Sequence, residues 1–354
     1  MLQQINTMGW DIGGAHLKAA TLDHTGKVLG VYQQPCQLWK GLDQLQTAVK
    51  TILQQASAID CMHAVTMTGE LVDLFADRHE GVQQITATIQ RLLPIDNCFI
   101  YAGNLGFIPA TQLQVKDYDA VASANWLASA SFAAQKLGNG LFVDIGSTTT
   151  DILLLQDSKV LAQGYSDYAR LVSQELIYTG IVRSAVMAVA QTAIDQGQNI
   201  GVMAEYFATM ADVYRVTGEL NENHDQTDTA DGAEKTIIAS AIRLSRMIGS
   251  DFSIVEMPRW QAFAHNIRAQ QLQKIKQAFE YRLKDNDVKF RQAIPVLGAG
   301  IGRFLVKEIA QQLNMTYFDF SDLCPQAETA FNLMPADCAP AVAVAYLLEQ
   351  QSLL

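Results

Sequence analysis

Two turns in the chain each join an aspartate to small residues, a combination that can hold a metal ion beside a polyphosphate. The first turn lies within Gly9–Ala20 and contains Asp11, and the second lies within Phe142–Leu153 and contains Asp144. In both segments an apolar strand ends at the aspartate, and another apolar strand follows the turn. Small side chains let an anion approach backbone N–H groups, and the carboxylate can bind a cation there. The repeat therefore predicts a duplicated fold that binds a polyanion between its halves.

The residue types at these turns suggest individual roles. Asp11 and Asp144 are expected to bind Mg²⁺ or Mn²⁺, since both ions prefer carboxylate, water and phosphate oxygens. Lys18 is expected to meet an anion, because a lysine flanked by apolar strand residues is costly without one. Asp151 has two open interpretations: it orients water or the metal, or it supports strand pairing. The residues expected to bind phosphate or diphosphate here are Gly13, Gly14, Gly146, Ser147, Thr148 and Thr149.

A third segment with the sequence Gly-Ala-Gly-Ile-Gly, Gly298–Gly302, lies between a predicted strand and a predicted helix. Gly298, Gly300 and Gly302 would let a nucleotide or another ring system approach the backbone, with the helix N-terminus facing an anion. The alternative is that all three segments are ordinary turns without a ligand. Their occurrence in this order favours a phosphate site.

Composition excludes some classes of partner. The chain of 354 residues carries a net charge of −11, from 25 basic and 36 acidic residues, and has no run rich in Lys or Arg. Nucleic acid and anionic membrane surfaces are therefore not expected as partners. No apolar stretch approaches the roughly 20 residues that span a bilayer, and the N-terminus lacks a signal-peptide pattern. We expect a cytoplasmic protein whose oligomeric state is open, a homo-oligomer included.

The order of predicted elements indicates an α/β protein with two domains. Residues 1–138 are predicted to form a first lobe around the first acidic turn. Residues 139–354 form a second lobe, with the second acidic turn, a helical insertion at about 170–290 and the Gly-rich turn at 296–302. Strands are predicted at Met8–Ile12, Leu17–Leu22 and Lys27–Tyr32, and helices at Leu42–Ala58, Asp119–Lys136, Leu171–Val189, Gln198–Gly218 and Pro258–Leu283.

These segments resemble known families at two levels. The two acidic turns and Gly298–Gly302 are similar to the phosphate and adenosine motifs of the acetate kinase, sugar kinase, Hsp70 and actin superfamily. This resemblance implies duplicated ribonuclease H-like (actin-like ATPase) domains with a cleft between two lobes. More narrowly, Glu175–Ser184 resembles the hydantoinase/oxoprolinase family. Further segments resemble its subgroup of tetrahydromethanopterin-linked C1-transfer pathway proteins, so that the resemblance covers nearly the whole chain: Thr66–Leu71, Ala124–Trp126, Thr229–Gly232 and Arg243–Met247.

The subgroup resemblance implies a transferase of methanofuran biosynthesis. The phenol of γ-glutamyltyramine, or of a tyrosine-derived analogue, would displace diphosphate from an aminomethylfuran-methyl diphosphate to give an aryl ether. Mg²⁺, turn amides and Lys18 would stabilise the leaving diphosphate. The phenol, with a pKa near ~10, needs a base, for which Asp151 and then Asp231 are the candidates. Arg183 and Lys235, in matching segments, would meet diphosphate or a substrate carboxylate.

Two other functions stay open. An ATP-dependent kinase, ligase or hydantoinase-like amidohydrolase is favoured by the Gly-rich turn, but Ala15 and His16 stand where hydroxyl residues are common in the kinases, so ATP is not the favoured cofactor. A phosphate-binding regulator is the third alternative. For some charged residues of these segments, the alternative to a substrate-binding role is an ordinary structural ion pair: Glu70 with Arg78, and Arg243 and Arg246 with partners on an exposed helix face.

Overall fold

The computed structural model describes residues 4–58, 60–285, 294–326 and 332–352. The chain divides into two compact units. The first consists of residues 1–142, 153–169 and 318–354, and the second of residues 143–152 and 170–317. The domain boundary placed at 138/139, and the insertion at about 170–290, stay predictions.

The first sheet contains six strands within the described residues: Thr7–Ile12 (β1), His16–Leu22 (β2), Val28–Pro35 (β3), Met62–Met67 (β4), Cys98–Tyr101 (β5) and Phe107–Pro109 (β6). They lie in the order β3-β2-β1-β4-β5-β6. β1, β2 and β3 pair antiparallel, whereas β4 runs parallel to β1 and β5 parallel to β4. The antiparallel meander predicted at the start of the chain is confirmed.

The next strands along the chain are Gly140–Ile145 (β7), Thr150–Gln156 (β8), Lys159–Val160 (β9), Leu176–Ile177 (β10), Thr192–Asp195 (β11), Gln198–Gly201 (β12), Val296–Ala299 (β13) and Tyr317–Asp319 (β14). A second sheet has the order β10-β8-β7-β13-β14, with β9 paired to β8, and β11 and β12 form a separate hairpin. β7 and β8 repeat the strand–turn–strand arrangement of β1 and β2, so the predicted duplication is present.

The helices of the described ranges are Leu42–Ala56 (α1), Arg78–Leu92 (α2), Tyr118–Val121 (α3), Asn125–Leu137 (α4), Asp167–Val172 (α5), Val186–Val189 (α6), Met210–Thr217 (α7), Ile237–Arg246 (α8), Met257–Asp285 (α9), Arg303–Gln312 (α10) and Ala339–Ser352 (α11). None of them is long and apolar enough to cross a membrane. α1 and α9 confirm the helices predicted there.

Three helix predictions were wrong in part. The helix expected over Asp119–Lys136 is broken at Ser123, whose φ of 51° lies in the left-handed region. Only short pieces of Leu171–Val189 are helical. The range predicted as one helix, Gln198–Gly218, begins as strand β12, and α7 starts only at Met210, because Thr209 supplies its capping box.

The C-terminal helix α11 lies directly against the first strand of the chain. A Cβ atom built on Gly9 would stand 1.9 Å from the carbonyl oxygen of Ala341 in α11. Both the strand and this part of the helix are buried, as Trp10 and Val342 illustrate with 0% exposure each. Glycine at position 9 therefore allows the helix backbone to approach the sheet.

Gly9→Ala is expected to lower the free energy of unfolding by about 1–3 kcal/mol, because the added methyl group meets backbone that cannot rotate away. Gly201→Ala is the matched control: a Cβ there has nothing within 4 Å, and its effect should stay within about 0.5 kcal/mol. Chemical denaturation of both variants measures the difference. Equal midpoints would contradict the close approach of α11.

Candidate functional site

The first acidic turn is closed by a hydrogen bond from Gly13 N–H to the carbonyl of His16 at 3.0 Å. Asp11, only 6% exposed, is the last residue but one of β1 and accepts a 3.3 Å hydrogen bond from Asn125 Nδ2 at the start of α4. Lys18 is its direct partner across the β1–β2 ladder, so both side chains lie on one face of the sheet. The ammonium group of Lys18 donates to the carbonyl of Asp337 at 2.9 Å.

The carbonyl groups of this turn are held by the chain segment that follows β3. Leu38 N–H donates to Gly14 O at 2.9 Å, and Cys36 N–H donates to Ala15 O at 2.8 Å. The N–H groups of Gly14 and Ala15 make no hydrogen bond within the described part of the chain. The carbonyl oxygens of the turn are therefore hydrogen-bonded within the protein, whereas its two N–H groups are suited to bind an anion.

The second acidic turn repeats both features. Gly146 N–H closes it by donating to the carbonyl of Thr149 at 2.9 Å, as Gly13 does to His16 in the first turn. Ile181 N–H donates to Gly146 O at 3.0 Å. Within the residues that the structure describes, the N–H groups of the next two positions, 147 and 148, form no hydrogen bond.

Polar groups of Arg183 and Ser147 lie at this turn, and Gly180 packs closely against it. Arg183 donates its backbone N–H to Ser147 O at 2.9 Å, and its guanidinium lies 3.4 Å from Thr148 Oγ1. Ser147 Oγ is buried and has no hydrogen-bond partner in the described ranges. Gly180 allows the close packing, because a Cβ there would stand 2.5 Å from Thr148 N. The structure therefore brings Arg183 to the predicted phosphate turn.

The Gly-rich segment after β13 packs against the same turn. Gly300 has a φ of +75°, and a Cβ on it would stand 2.3 Å from Asp144 Oδ1. Gly302 N–H donates to Ile145 O at 2.8 Å. A Cβ on Gly298 would stand 2.7 Å from the Tyr317 ring. These contacts account for the glycines by packing within the protein, and a nucleotide at this turn stays a prediction.

The two predicted bases are both paired with arginine. The carboxylate of Asp151, on β8, pairs with Arg170, whose side chain is 2% exposed. Asp231 binds Arg243 at 3.1 Å and Arg246 at 2.8 Å. Burial alone would raise the pKa of Asp231, but the Ala233 amide and the two arginines together hold it below its ordinary value. A carboxylate stabilised in this way is a weak proton acceptor.

Lys235 and Arg243 both belong to polar networks of the helical part of the second unit. Lys235 donates to the carbonyl of Asp225 at 2.8 Å. Arg243 is 0% exposed, which excludes for it the alternative of an ion pair on an exposed helix face, whereas Arg246 has a side chain that is 46% exposed. A diphosphate role for Lys235 stays a prediction.

The described residues contain no group of three or more His, Cys, Asp or Glu side chains placed to hold a metal ion. Asp11 and Asp144 belong to different compact units, and each is the last residue but one of the strand before an acidic turn. Their oxygen donors are of the type that Mg²⁺ and Mn²⁺ prefer. The donor type of each residue fits the predicted ion, and the assignment of Asp11 and Asp144 to a metal stays a prediction.

Sequence reasoning missed one polar cluster. Glu70 and Arg78 do not form the pair that was one alternative for them: Arg78 binds Asp167 at 2.8 Å, and Glu70 accepts a hydrogen bond from Ser123 Oγ at 3.0 Å. Asp167 carried no signal in the sequence, because it lies in an unremarked Ser-Asp-Tyr segment far along the chain from the other members. In the sequence, Glu70 and Arg78 stood as an alternative ion pair with each other, and nothing pointed to Ser123 or Asp167.

The paired strand–turn–strand units define an α/β protein with the duplicated ribonuclease H-like (actin-like ATPase) fold. A nucleotide-free structure of acetone carboxylase has this fold, with a TM-score of 0.62 and 10% identity over 97% of this chain and 70% of that one. The model of the hydantoinase/oxoprolinase family matches residues 62–342, and the chain belongs to this family.

Two curated relatives carry the same name, (4-{4-[2-(gamma-L-glutamylamino)ethyl]phenoxymethyl}furan-2-yl)methanamine synthase. The chain is 28% identical to the Methanocaldococcus jannaschii protein over 98% of this chain and 99% of the relative. It is 34% identical to the Methanococcus vannielii protein over 35% of this chain and 56% of the relative. The similarity to the first of these relatives thus extends along nearly the whole chain.

Proposed function

We propose that this protein is a transferase of methanofuran (or methanofuran-analogue) biosynthesis that serves tetrahydromethanopterin-linked C1 metabolism. It joins a phenol, that of γ-glutamyltyramine or a tyrosine-derived analogue, to the CH₂ carbon of an aminomethylfuran-methyl diphosphate. Diphosphate leaves, and an aryl ether forms. The name of the M. jannaschii relative describes a phenoxymethyl-furan product of this kind. The 28% identity over 98% of this chain supports a similar reaction here.

The observation that carries the proposal is the hydrogen bonding of the two acidic turns. In each, carbonyl groups are bound by a flanking segment while consecutive N–H groups have no partner in the described residues. Such N–H groups suit the oxygens of a diphosphate, whose charge grows as the C–O bond breaks. Arg183 beside Thr148 and Lys18 beside Asp11 add positive charge to their respective turns.

Asp11 and Asp144 are each proposed as a ligand of Mg²⁺ or Mn²⁺ at their own acidic turn. When bound, the ion would neutralise part of the charge on the diphosphate. The chain's own contribution is to hold each carboxylate at a strand end: Asn125 binds Asp11, and Gly300 leaves room for Asp144.

The phenol must lose its proton as the new bond forms. Asp151 and Asp231 were the candidates, yet both are bound to arginine, and the lowered pKa of Asp231 makes it a weak acceptor of a proton. Asp151 beside Arg170 is better suited to orienting a polar group near the second acidic turn than to removing a proton.

Incubation with Mg²⁺, the furan diphosphate and γ-glutamyltyramine tests the proposal directly. We expect one equivalent of diphosphate for each ether detected by mass spectrometry, without added ATP. Substrate-dependent formation of ADP would instead identify an ATP-dependent kinase, ligase or amidohydrolase. Tight binding without turnover of either kind would favour a phosphate-binding regulator. A tyrosine-derived acceptor in a parallel reaction identifies the preferred phenol.

A further inference from the structure

The first acidic turn has no hydroxyl side chain of its own. It consists of Gly13–His16, whereas the second acidic turn has a run of three hydroxyl residues, Ser147–Thr149. The first turn therefore offers backbone N–H groups to an anion, and a hydroxyl donor has to come from a neighbouring element. Strand β4, which runs parallel to β1, is the neighbour that ends at the same edge of the sheet.

The carboxyl end of β4 lies beside the first acidic turn. Thr66 is the partner of Asp11 in the parallel register of the two strands. Thr68 N–H continues this ladder by donating to Ile12 O at 2.9 Å. In sheets with parallel strands, ligands bind outside the carboxyl ends of the strands. The residues directly after β4 are therefore placed to form a second wall of a site at this turn.

Three close contacts join this segment to the glycines of the turn. A Cβ on Gly69 would stand 3.2 Å from Gly13 O. A Cβ on Gly14 would stand 2.7 Å from Val72 Cγ1. On the polar side, a Cβ on Gly13 would stand 3.8 Å from Thr68 Oγ1. The hydroxyl of Thr68 therefore lies next to the part of the turn that lacks side chains.

The fold itself makes no use of the Thr68 hydroxyl. Thr68 is the N-cap residue of the short 3-10 helix Gly69–Leu71, a position where a threonine hydroxyl ordinarily accepts a backbone N–H. Here that bond is absent, and Oγ1 forms no hydrogen bond with any residue that the structure describes. The side chain is partly exposed. The hydroxyl is thus available at a place that a ligand can reach.

Thr66, two residues earlier, provides a comparison within the same strand. It is 0% exposed, and its Oγ1 is buried without a hydrogen-bond partner in the described ranges. Complete burial keeps a ligand oxygen away from this hydroxyl. Thr66 and Thr68 therefore carry the same chemical group near the same turn and differ in whether a ligand can touch it.

The accessible groups of the first acidic turn are mainly hydrogen-bond donors. The N–H groups of Gly14 and Ala15 have no partner among the described residues. Lys18, which is partly exposed, adds an ammonium group on β2, whereas the carboxylate of Asp11 is almost buried. A threonine hydroxyl can donate or accept. Beside groups that all donate, the Thr68 hydroxyl completes a set of donors for an anion.

We propose that the hydroxyl of Thr68 binds the diphosphate group of the substrate at the first acidic turn; the inference rests on the proposed transferase function. The hydroxyl donates to a diphosphate oxygen beside the N–H groups of Gly14 and Ala15. The contact strengthens as the C–O bond breaks, because negative charge then accumulates on the diphosphate. Thr68 is thus a binding residue for the leaving group and supplies the hydroxyl that Gly13–His16 lacks.

Calorimetric titration with inorganic diphosphate, in buffer containing Mg²⁺, tests this contact without turnover. Thr68→Val replaces the hydroxyl by a methyl group of similar size. It is expected to weaken diphosphate binding about 10- to 100-fold, the range for a hydrogen bond to a charged group. Thr68→Ser keeps the hydroxyl and should bind within about threefold of the wild type. Wild-type affinity in Thr68→Val overturns the proposal.

Two further changes of threonine to valine are the matched controls. Thr86, in α2, is 5% exposed and also has a buried Oγ1 without a partner in the described residues. Thr86→Val and Thr66→Val should both bind diphosphate as the wild type does. Their thermal midpoints should not fall, because an unpartnered buried hydroxyl contributes no hydrogen bond to stability. A loss of affinity in Thr66→Val as large as in Thr68→Val would overturn the direct contact.

Steady-state kinetics separate this inference from the proposed function. Thr68→Val should lower kcat/KM for the furan diphosphate about 10- to 100-fold. A variant that loses affinity for the furan substrate but keeps its affinity for inorganic diphosphate would overturn the assignment to the diphosphate group. A wild type that binds diphosphate through Thr68 but forms no ether would refute the transferase function and leave Thr68 as an anion-binding residue.

Discussion

Asp144→Asn is expected to lower kcat for diphosphate displacement by about 100- to 1,000-fold. The amide has almost the same shape as the carboxylate but carries no charge, so it binds Mg²⁺ poorly and leaves the diphosphate charge less neutralised. Gly300 lies directly against Asp144, and an isosteric side chain preserves that contact. Steady-state kinetics with saturating Mg²⁺ measure the loss.

Asp157→Asn is the matched control for this prediction. Asp157 lies in the turn between β8 and β9 with a φ of 51°, a conformation that asparagine adopts readily. It should retain the wild-type rate. Thermal denaturation of both variants should give wild-type midpoints, so that a rate change reports chemistry. A wild-type rate in Asp144→Asn, with unchanged binding of magnesium diphosphate, would remove this carboxylate from the proposed metal site.

Asp212→Ala is expected to lower the free energy of unfolding by about 3–5 kcal/mol. Asp212, 2% exposed, accepts hydrogen bonds from Ser240 Oγ at 2.7 Å, Arg243 Nε at 2.8 Å and Thr209 N–H at 3.0 Å. Arg215 and Arg243 are almost fully buried beside it. Removing the carboxylate leaves two buried guanidinium groups with less negative charge around them, which is far more costly than losing an exposed pair.

Glu256→Ala provides the comparison. Glu256 pairs with Arg259 at 3.3 Å, and its side chain is 37% exposed, so the loss should be at most about 1 kcal/mol. Urea denaturation followed by tryptophan fluorescence, to which the buried Trp260 of α9 contributes, compares the two variants. Similar midpoints for Asp212→Ala and Glu256→Ala would show that the buried network contributes little to stability.

The sequence predicted the elements that are determined locally. Both acidic turns lie between the expected strands, because apolar strand residues and small turn residues specify a hairpin without help from distant segments. The contact of Gly300 with Asp144 also agrees with the expected grouping of the second acidic turn and the Gly-rich turn. The assignment of these residues to ligands stays a prediction, since the fold explains their packing and leaves their chemistry to experiment.

The incorrect predictions depend on contacts between distant residues. The alanine-rich segment around Ser123 has strong helix propensity, yet tertiary contacts of the Ser123 hydroxyl with Glu70 and Asp167 accompany a left-handed residue there. Likewise, the pairing of Asp151 with Arg170 joins two side chains whose relation has no periodic signal. Interactions of this kind decide which carboxylate can act as a base, and sequence patterns do not report them.

The contact between Gly9 and helix α11 also constrains how the protein matures during synthesis. The first unit includes residues 318–354, so the nascent N-terminal sheet emerges from the ribosome long before the helix that covers it. One side of that sheet stays uncovered, with its apolar residues exposed to solvent, until Ala339–Ser352 has been synthesised. A chain truncated before α11 should consequently be a strong substrate for chaperones and proteases.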